Sequence, residues 1–158
     1  MADQSRGRKA VFTGVGAAMA LAATFIATFE GKSNEAYYDL IGVKTICYGH
    51  AQGVRPGDFK SDAECATLLF AEISRLKTIL RNEGNPKLTL KQRAAFVSWM
   101  YNVGEGNFRR STLRKYLQQG NVYEACRQLL RWDRAAGKRI PGLTRRRQAE
   151  YALCVSEL

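Results

Sequence analysis

The sequence holds a single histidine, His50, and no CxxC pair among its four cysteines, so a zinc site lacks its usual ligand pattern. It is also short of acids. Only 14 Asp and Glu stand against 25 Lys and Arg, a formal charge of +11 that favours a polyanionic partner: nucleic acid, an anionic lipid surface or an acidic wall polymer. The basic residues are scattered instead of lying along one recognition element, which argues against nucleic acid. There is no internal repeat and no low-complexity linker. A length of 158 residues leaves no room for a second full domain, although one domain of that size can be built as two lobes around a cleft. Single-domain size points to a monomer.

Charge is missing altogether from residues 11–29, VFTGVGAAMALAATFIATF, a run just long enough to cross a bilayer. Strong apolar side chains are sparse within it. Two glycines, six alanines and three threonines fill 11 of the 19 positions. Val11, Phe12, Val15, Leu21, Phe25, Ile26 and Phe29 together favour insertion by only about 2–4 kcal/mol, before Gly and Thr subtract from that. Three readings are open: a cleaved signal peptide ending near Ala22, Ala23 or Ala27, a buried helix of a soluble body, or a weak signal anchor. Arg6, Arg8 and Lys9 precede the run and favour the anchor, with the N-terminus in the cytoplasm and the body in the periplasm. Disulfides persist in that compartment.

Residues 37–48, YYDLIGVKTICY, are aromatic and β-branched with a break at Gly42, the pattern of a short hairpin, and Gly49, Gly53, Pro56 and Gly57 mark turns after it. Beyond that point the pattern is helical. Ser61 with Glu64, Thr89 with Gln92 and Asn121 with Glu124 have capping-box spacing and predict three helix starts. From Ser61, the residues Leu68, Leu69, Ile73, Leu76 and Leu80 form one apolar stripe that ends at Gly84 and Pro86. From Thr89, the stretch carrying Ala94, Ala95, Phe96, Trp99 and Met100 stops at Gly104. Shorter helices are expected near 111–119, 122–131 and 143–155. The fold class is α+β, mostly helical, with a small β element early in the chain.

Glycoside hydrolysis needs one carboxylic acid to protonate the leaving oxygen and a second carboxylate to stabilise the cationic centre or activate water. Glu30 directly follows an apolar helix, surroundings that keep a carboxyl protonated. Asp39 lies among Tyr37, Tyr38 and Thr45, whose hydroxyls can hold it ionised or orient a water. Two such environments would give two roles; on spacing alone, a Glu at a helix end and an Asp in a turn read equally as solvated surface groups.

The string FEGKSNEAYYDLIGVKTICYGHAQG resembles the active-site region of the phage lysozymes of glycoside hydrolase family 24: a Glu, an Asp nine residues on, a Thr six further, then a Gly-His pair. Glu30, Asp39, Thr45 and Gly49-His50 match that spacing. The resemblance continues through WMYNVG, STLRKYLQQGN, ACRQLLRWDRAAGK and PGLTRRRQAEYALC and covers nearly all of 29–155. It implies a lysozyme-like fold, a small β-containing lobe and a larger helical lobe with a sugar cleft between them. It also implies an N-acetylmuramidase acting on peptidoglycan for host lysis and phage release, with no cofactor and no metal. Glu30 is then the acid, Asp39 the second carboxylate, with a lean toward an inverting reaction, and Thr45 a water-positioning residue. Tyr38, His50 and Asn102 are expected to bind substrate; the alternative for the stretch Tyr101-Asn102-Val103-Gly104 is a helix C-cap. Presence of all three catalytic matches argues against a catalytically dead wall-binding module.

The N-terminus resembles the signal-arrest-release endolysins, whose weak anchor holds an inactive enzyme at the host inner membrane until a holin or pinholin depolarises it. The chain is thus expected to divide into an anchor, residues 1–29, and a catalytic domain, residues 30–158. No cysteine lies in the anchor, so activation by disulfide exchange with it is excluded. Cysteines 47, 65, 126 and 154 allow three pairings, of which Cys47 with Cys65 and Cys126 with Cys154 is favoured. Trp99 and Trp132 are expected in the core. Arg145, Arg146 and Arg147 are expected on a solvated helix face which, with Arg109, Arg110, Arg114 and Lys115, attracts anionic polymer in a salt-dependent way.

Overall fold

The computed structural model describes residues 16–158. Arg6, Arg8, Lys9 and the first part of the uncharged run lie outside the described residues. The rest of that run forms the first helix among the described residues, α1 (Ala17–Glu30), and its apolar side chains form part of the core: Ala22, Ala23 and Ile26 are buried in one cluster with Leu69, Ile73, Phe96, Trp99 and Met100. The hydroxyls of Thr24 and Thr28 donate back to the carbonyls of Ala20 and Thr24, which lets these residues sit on its outer side without unpaired donors. Gly31, at φ +70, turns the chain out of the helix immediately after Glu30. No helix of the described residues is long and apolar enough to cross a membrane.

Strands β1 (Ser33–Tyr38) and β2 (Lys44–Cys47) pair antiparallel, with Tyr37 opposite Thr45, Tyr38 opposite Lys44 and an irregular register toward Ser33. A bridge from Glu35 to Phe59 adds a third short edge to this small lobe. Its interior is a separate cluster of Ile46, Cys47 and Cys65. All three predicted starts carry caps. Ser61 and Thr89 form full capping boxes for α2 (Asp62–Ile79) and α3 (Leu90–Val103), and Asn121 accepts from the Glu124 N–H at the head of α6 (Val122–Leu129). The α2 stripe runs on as a π-helical turn, Leu80–Gly84, where the fit at Gly84 is tight: a Cβ there would meet the Leu117 and Leu80 side chains at 3.3 Å.

Between α3 and α6 lie α4 (Glu105–Arg110) and α5 (Thr112–Gln118). A tiny hairpin, β3 (Arg134–Ala135) with β4 (Lys138–Arg139), precedes the last helix, α7 (Pro141–Val155). Central to the helical lobe is α3, with Trp99 and Phe96 fully buried and flanked by α1, α2 and α7. Trp132 packs half-buried in a T-shaped contact with Trp99, at 5.2 Å between centroids. Cys47 is joined to Cys65, tying β2 to α2, and Cys126 to Cys154, tying α6 to α7. The second bridge closes a loop with a sequence separation of 28. Replacing both Cys126 and Cys154 by serine is expected to cost about 2–4 kcal/mol, read as a lower urea midpoint.

Candidate active site

Glu30 is the last residue of α1, and its position is set by how that helix beds into the core. Its carboxylate meets Arg146 of α7, with Arg146 Nη1 donating to Oε1 at 2.5 Å. The same guanidinium stacks over the Phe29 ring, 5.5 Å from its centroid. On its other side Glu30 faces the Gly-His pair: Oε2 lies 3.9 Å from where a Gly49 side chain would begin. Reciprocal bonds between Ile46 and His50, 2.8 and 2.9 Å, close the loop that presents Gly49, and Cys47 and Gly49 adopt the positive φ this tight turn needs.

Arg146 does not stand alone. Glu150, one turn along α7 and fully buried, accepts from Arg146 Nε at 3.1 Å, from Arg147 Nη1 at 2.7 Å and from the Ser98 hydroxyl at 2.7 Å. Arg146 Nη2 also donates to the Ser98 carbonyl at 3.1 Å, and Arg147 Nη2 donates to Asn102 Oδ1. Burial pushes the Glu150 carboxyl upward against the pull of both arginines, and pushes the Arg147 guanidinium downward against the pull of Glu150. Tyr101 joins the two lobes by donating to the Tyr48 carbonyl at 2.5 Å. Burial, and then the charge of Glu30, raise this phenol well above its ordinary range, so it remains a donor.

Asp39 opens the β1–β2 turn. Its Oδ1 accepts the main-chain N–H of Ile41 at 3.0 Å and of Val43 at 2.8 Å, partners other than the Tyr and Thr hydroxyls expected from the sequence. Thr45 sits in β2, 4 % exposed as a residue, and its Oγ1 has no partner among the described residues. Tyr38 is exposed beside Lys44, whose ammonium lies 5.1 Å from its ring centroid. His50 Nε2 donates to the Gln52 carbonyl at 3.0 Å. A hollow of about 480 Å³ adjoins this region, lined by Tyr48, Gly49, His50, Gln52, Glu72, Arg75, Tyr101 and the Cys47–Cys65 bridge. Of the expected site residues, His50 and the two cysteines line it; Asp39, Thr45 and Tyr38 share the hairpin, and Glu30 faces Gly49 from the helical side.

Comparison with known proteins settles the class: the family model described as "Phage lysozyme" matches residues 27–150. The chain belongs to the phage lysozyme family. It is 36 % identical over 156 residues, 94 % of each chain, to the SAR-endolysin of Enterobacteria phage P21. The active form of the P1 phage endolysin Lyz shares its fold, with a TM-score of 0.83 at 23 % identity over 94 % of this chain and 92 % of that one. The secreted inactive form of the same endolysin aligns at a TM-score of 0.54 and 24 % identity, over 67 % of this chain and 76 % of that one. As a phage lysozyme the chain is a glycoside hydrolase, and peptidoglycan is its substrate polymer.

For this phage lysozyme, the expectation of a solvated arginine run is overturned. Of the arginine run, only Arg145 is exposed; Arg146 and Arg147 are 3 % and 0 % exposed, because α7 turns that side to α3 and Glu150 neutralises them there. Sequence reasoning therefore missed Arg146 as the partner of Glu30. A clue was present. Arg146, Arg147, Glu150 and Cys154 fall one turn apart on a single helix face, and a bridged cysteine on that face marks it as inward. Asn102 is held by Arg147, and the Tyr101–Gly104 stretch ends α3 with its C-cap at Gly104, as the sequence also allowed.

Proposed function

We propose that this phage lysozyme is a signal-arrest-release N-acetylmuramidase that hydrolyses the β-1,4 bond between N-acetylmuramic acid and N-acetylglucosamine. Glu30 is the general acid, Asp39 the second carboxylate, and Thr45, with its buried unpaired hydroxyl, holds a water. Tyr38, His50 and Asn102 contact the glycan. The observation that carries the reading is that Glu30 ends the very helix formed by the uncharged run, and is fixed by Arg146 when that helix is bedded in the core.

Residues 11–29 have two fates in this reading. In the membrane they anchor the chain to the host inner membrane, N-terminus in the cytoplasm and body in the periplasm, and Glu30 is pinned at the lipid surface away from Arg146. Once a holin or pinholin depolarises the membrane, the segment leaves the lipid, α1 docks, and the monomeric enzyme works free in the periplasm. The magnitudes suit a switch. Insertion is favoured by only about 2–4 kcal/mol, and burying one Ile-sized side chain such as Ile26 returns about 1.5–3 kcal/mol. The SAR-endolysin name of the P21 relative, and a fold shared with the active P1 endolysin, support this reading.

The test is hydrolysis of purified peptidoglycan by the released, oxidised protein, with products identified by mass spectrometry. Reducing N-acetylmuramic acid ends are expected; reducing N-acetylglucosamine ends would reject the bond assignment. Specific activity of membrane-held protein is expected to lie far below that of released protein, and equality would reject the activation scheme.

A further inference from the structure

The small lobe ends in an apolar point. Leu40 is fully exposed and Ile41 is 84 % exposed at the turn between β1 and β2, with Tyr37, Tyr38 and Val43 exposed behind them and Phe59 two-thirds exposed on the neighbouring edge. The other exposed large apolar side chains, such as Leu90, Tyr123, Leu130 and Ile140, are scattered through the helical lobe. Neither Leu40 nor Ile41 packs on the cores of either lobe. A cluster of exposed apolar residues, interrupted only by Asp39 and Gly42, on a chain of charge +11 calls for a partner that is apolar inside and anionic outside.

We propose that this hairpin tip is a lipid-inserting finger that seats the enzyme on an anionic phospholipid surface. The proposal rests on the reading of residues 11–29 as a membrane anchor and adds a second, separate lipid contact. Four features carry it. The tip's backbone is largely satisfied from within: Asp39 N–H donates to the Val43 carbonyl, Gly42 N–H to the Asp39 carbonyl, and the N–H groups of Ile41 and Val43 to the Asp39 carboxylate. Of the tip's amide donors only the Leu40 N–H is left to water, and the carbonyls of Leu40, Ile41 and Gly42 stay within reach of the hydrated headgroup layer. Behind the apolar point stand residues suited to the headgroup layer, Tyr38 with the Lys44 ammonium over its ring, an amphipathic ring and a cation that reaches phosphate.

The third feature is chain geometry. Only Gly31 and Lys32 separate the end of α1 from β1, so when residues 11–29 lie in lipid the hairpin is delivered to the same surface. A six-residue strand spans about 20 Å, which lets the tip fold back to the interface. The fourth is charge, which draws the whole body toward an anionic leaflet. Seated this way, the finger holds Asp39 among headgroups and away from the glycan, so the anchored enzyme is restrained at both carboxylates, Glu30 by the anchor and Asp39 by the tip.

The experiment uses the released, oxidised full-length chain with vesicles of phosphatidylethanolamine and phosphatidylglycerol, measured by co-sedimentation. A double variant, Leu40→Ser with Ile41→Ser, is expected to bind about tenfold more weakly than the wild type. It is expected to hydrolyse lipid-free peptidoglycan at the wild-type rate within about twofold. In Ile41→Trp, brominated lipids are expected to quench the new fluorescence. A further variant, Ala20→Asp on the exposed side of α1, blocks insertion of the anchor without touching the tip. Vesicle binding retained by Ala20→Asp and lost in the double variant supports the finger. Binding unchanged in the double variant, or no quenching at position 41, overturns it and leaves the anchor reading standing. Loss of hydrolysis on lipid-free peptidoglycan in the double variant also overturns it, because the tip then grips glycan. The anchor reading fails separately, if the wild-type chain is absent from the membrane fraction of energised cells.

Discussion

Replacing Glu30 by Gln is expected to lower the rate of peptidoglycan cleavage by about 10²–10⁴, the span for removal of a positioned general acid. The substitution keeps shape and hydrogen-bonding capacity but carries no acidic proton. Arg146 can still donate to the amide oxygen, and Glu150 still compensates it at 3.1 Å, so the docking of α1 is expected to survive. Initial rates of clearing of outer-membrane-permeabilised cells, set beside thermal unfolding of the same preparations, separate chemistry from folding. A variant within tenfold of wild type, with an unaltered melting midpoint, would remove Glu30 from the role of acid.

Replacing Glu150 by Ala is expected to destabilise the fold by about 3–5 kcal/mol, the range for breaking a buried ion pair from one side. The reason is specific. Glu150 is the shared counter-charge of two guanidiniums that solvent does not reach, and without it Arg147 retains only Asn102 while Arg146 retains Glu30 and Ser98. For a domain of this size the melting midpoint is expected to fall on the order of 10 °C. Arg145→Ala, on the exposed side of the same helix, is the control, with an expected change within about 0.5 kcal/mol. Activity should fall further than the folded fraction does, since Arg146 orients Glu30 and loses its own support. Equal melting midpoints for Glu150→Ala and the control would mean that the buried network contributes nothing net.

The two predictions differ in how readable their residues were. Ser61, Thr89 and Asn121 announced helix starts because a cap is a local event: side chain and amide are three residues apart, and nothing distant can alter the pairing. The 37–48 hairpin was readable for the same reason. The six-residue α4, the two-residue strands β3 and β4 and the π-helical turn were not, since each is too short to show a period and is held by its neighbours. The arginine run was misjudged on a different ground. Whether an arginine is solvated depends on carboxylates brought in by folding, and Glu30 lies 116 positions before Arg146 in the chain. Ser98 stands 52 positions before Glu150. The same limit applies to residues 11–29, where one composition suits a weak lipid span and a core helix alike; the composition alone leaves both open, and the described part of the segment is packed as a core helix.

The span between Glu30 and Arg146 also sets an order of events during synthesis. A ribosome adds about 5–20 residues per second, so some 116 residues of chain take about 6–23 s to emerge after Glu30 does. Throughout that interval the nascent polypeptide carries its acid but not the guanidinium that fixes it. A product cut short anywhere before α7 is therefore born without the Glu30–Arg146 ion pair.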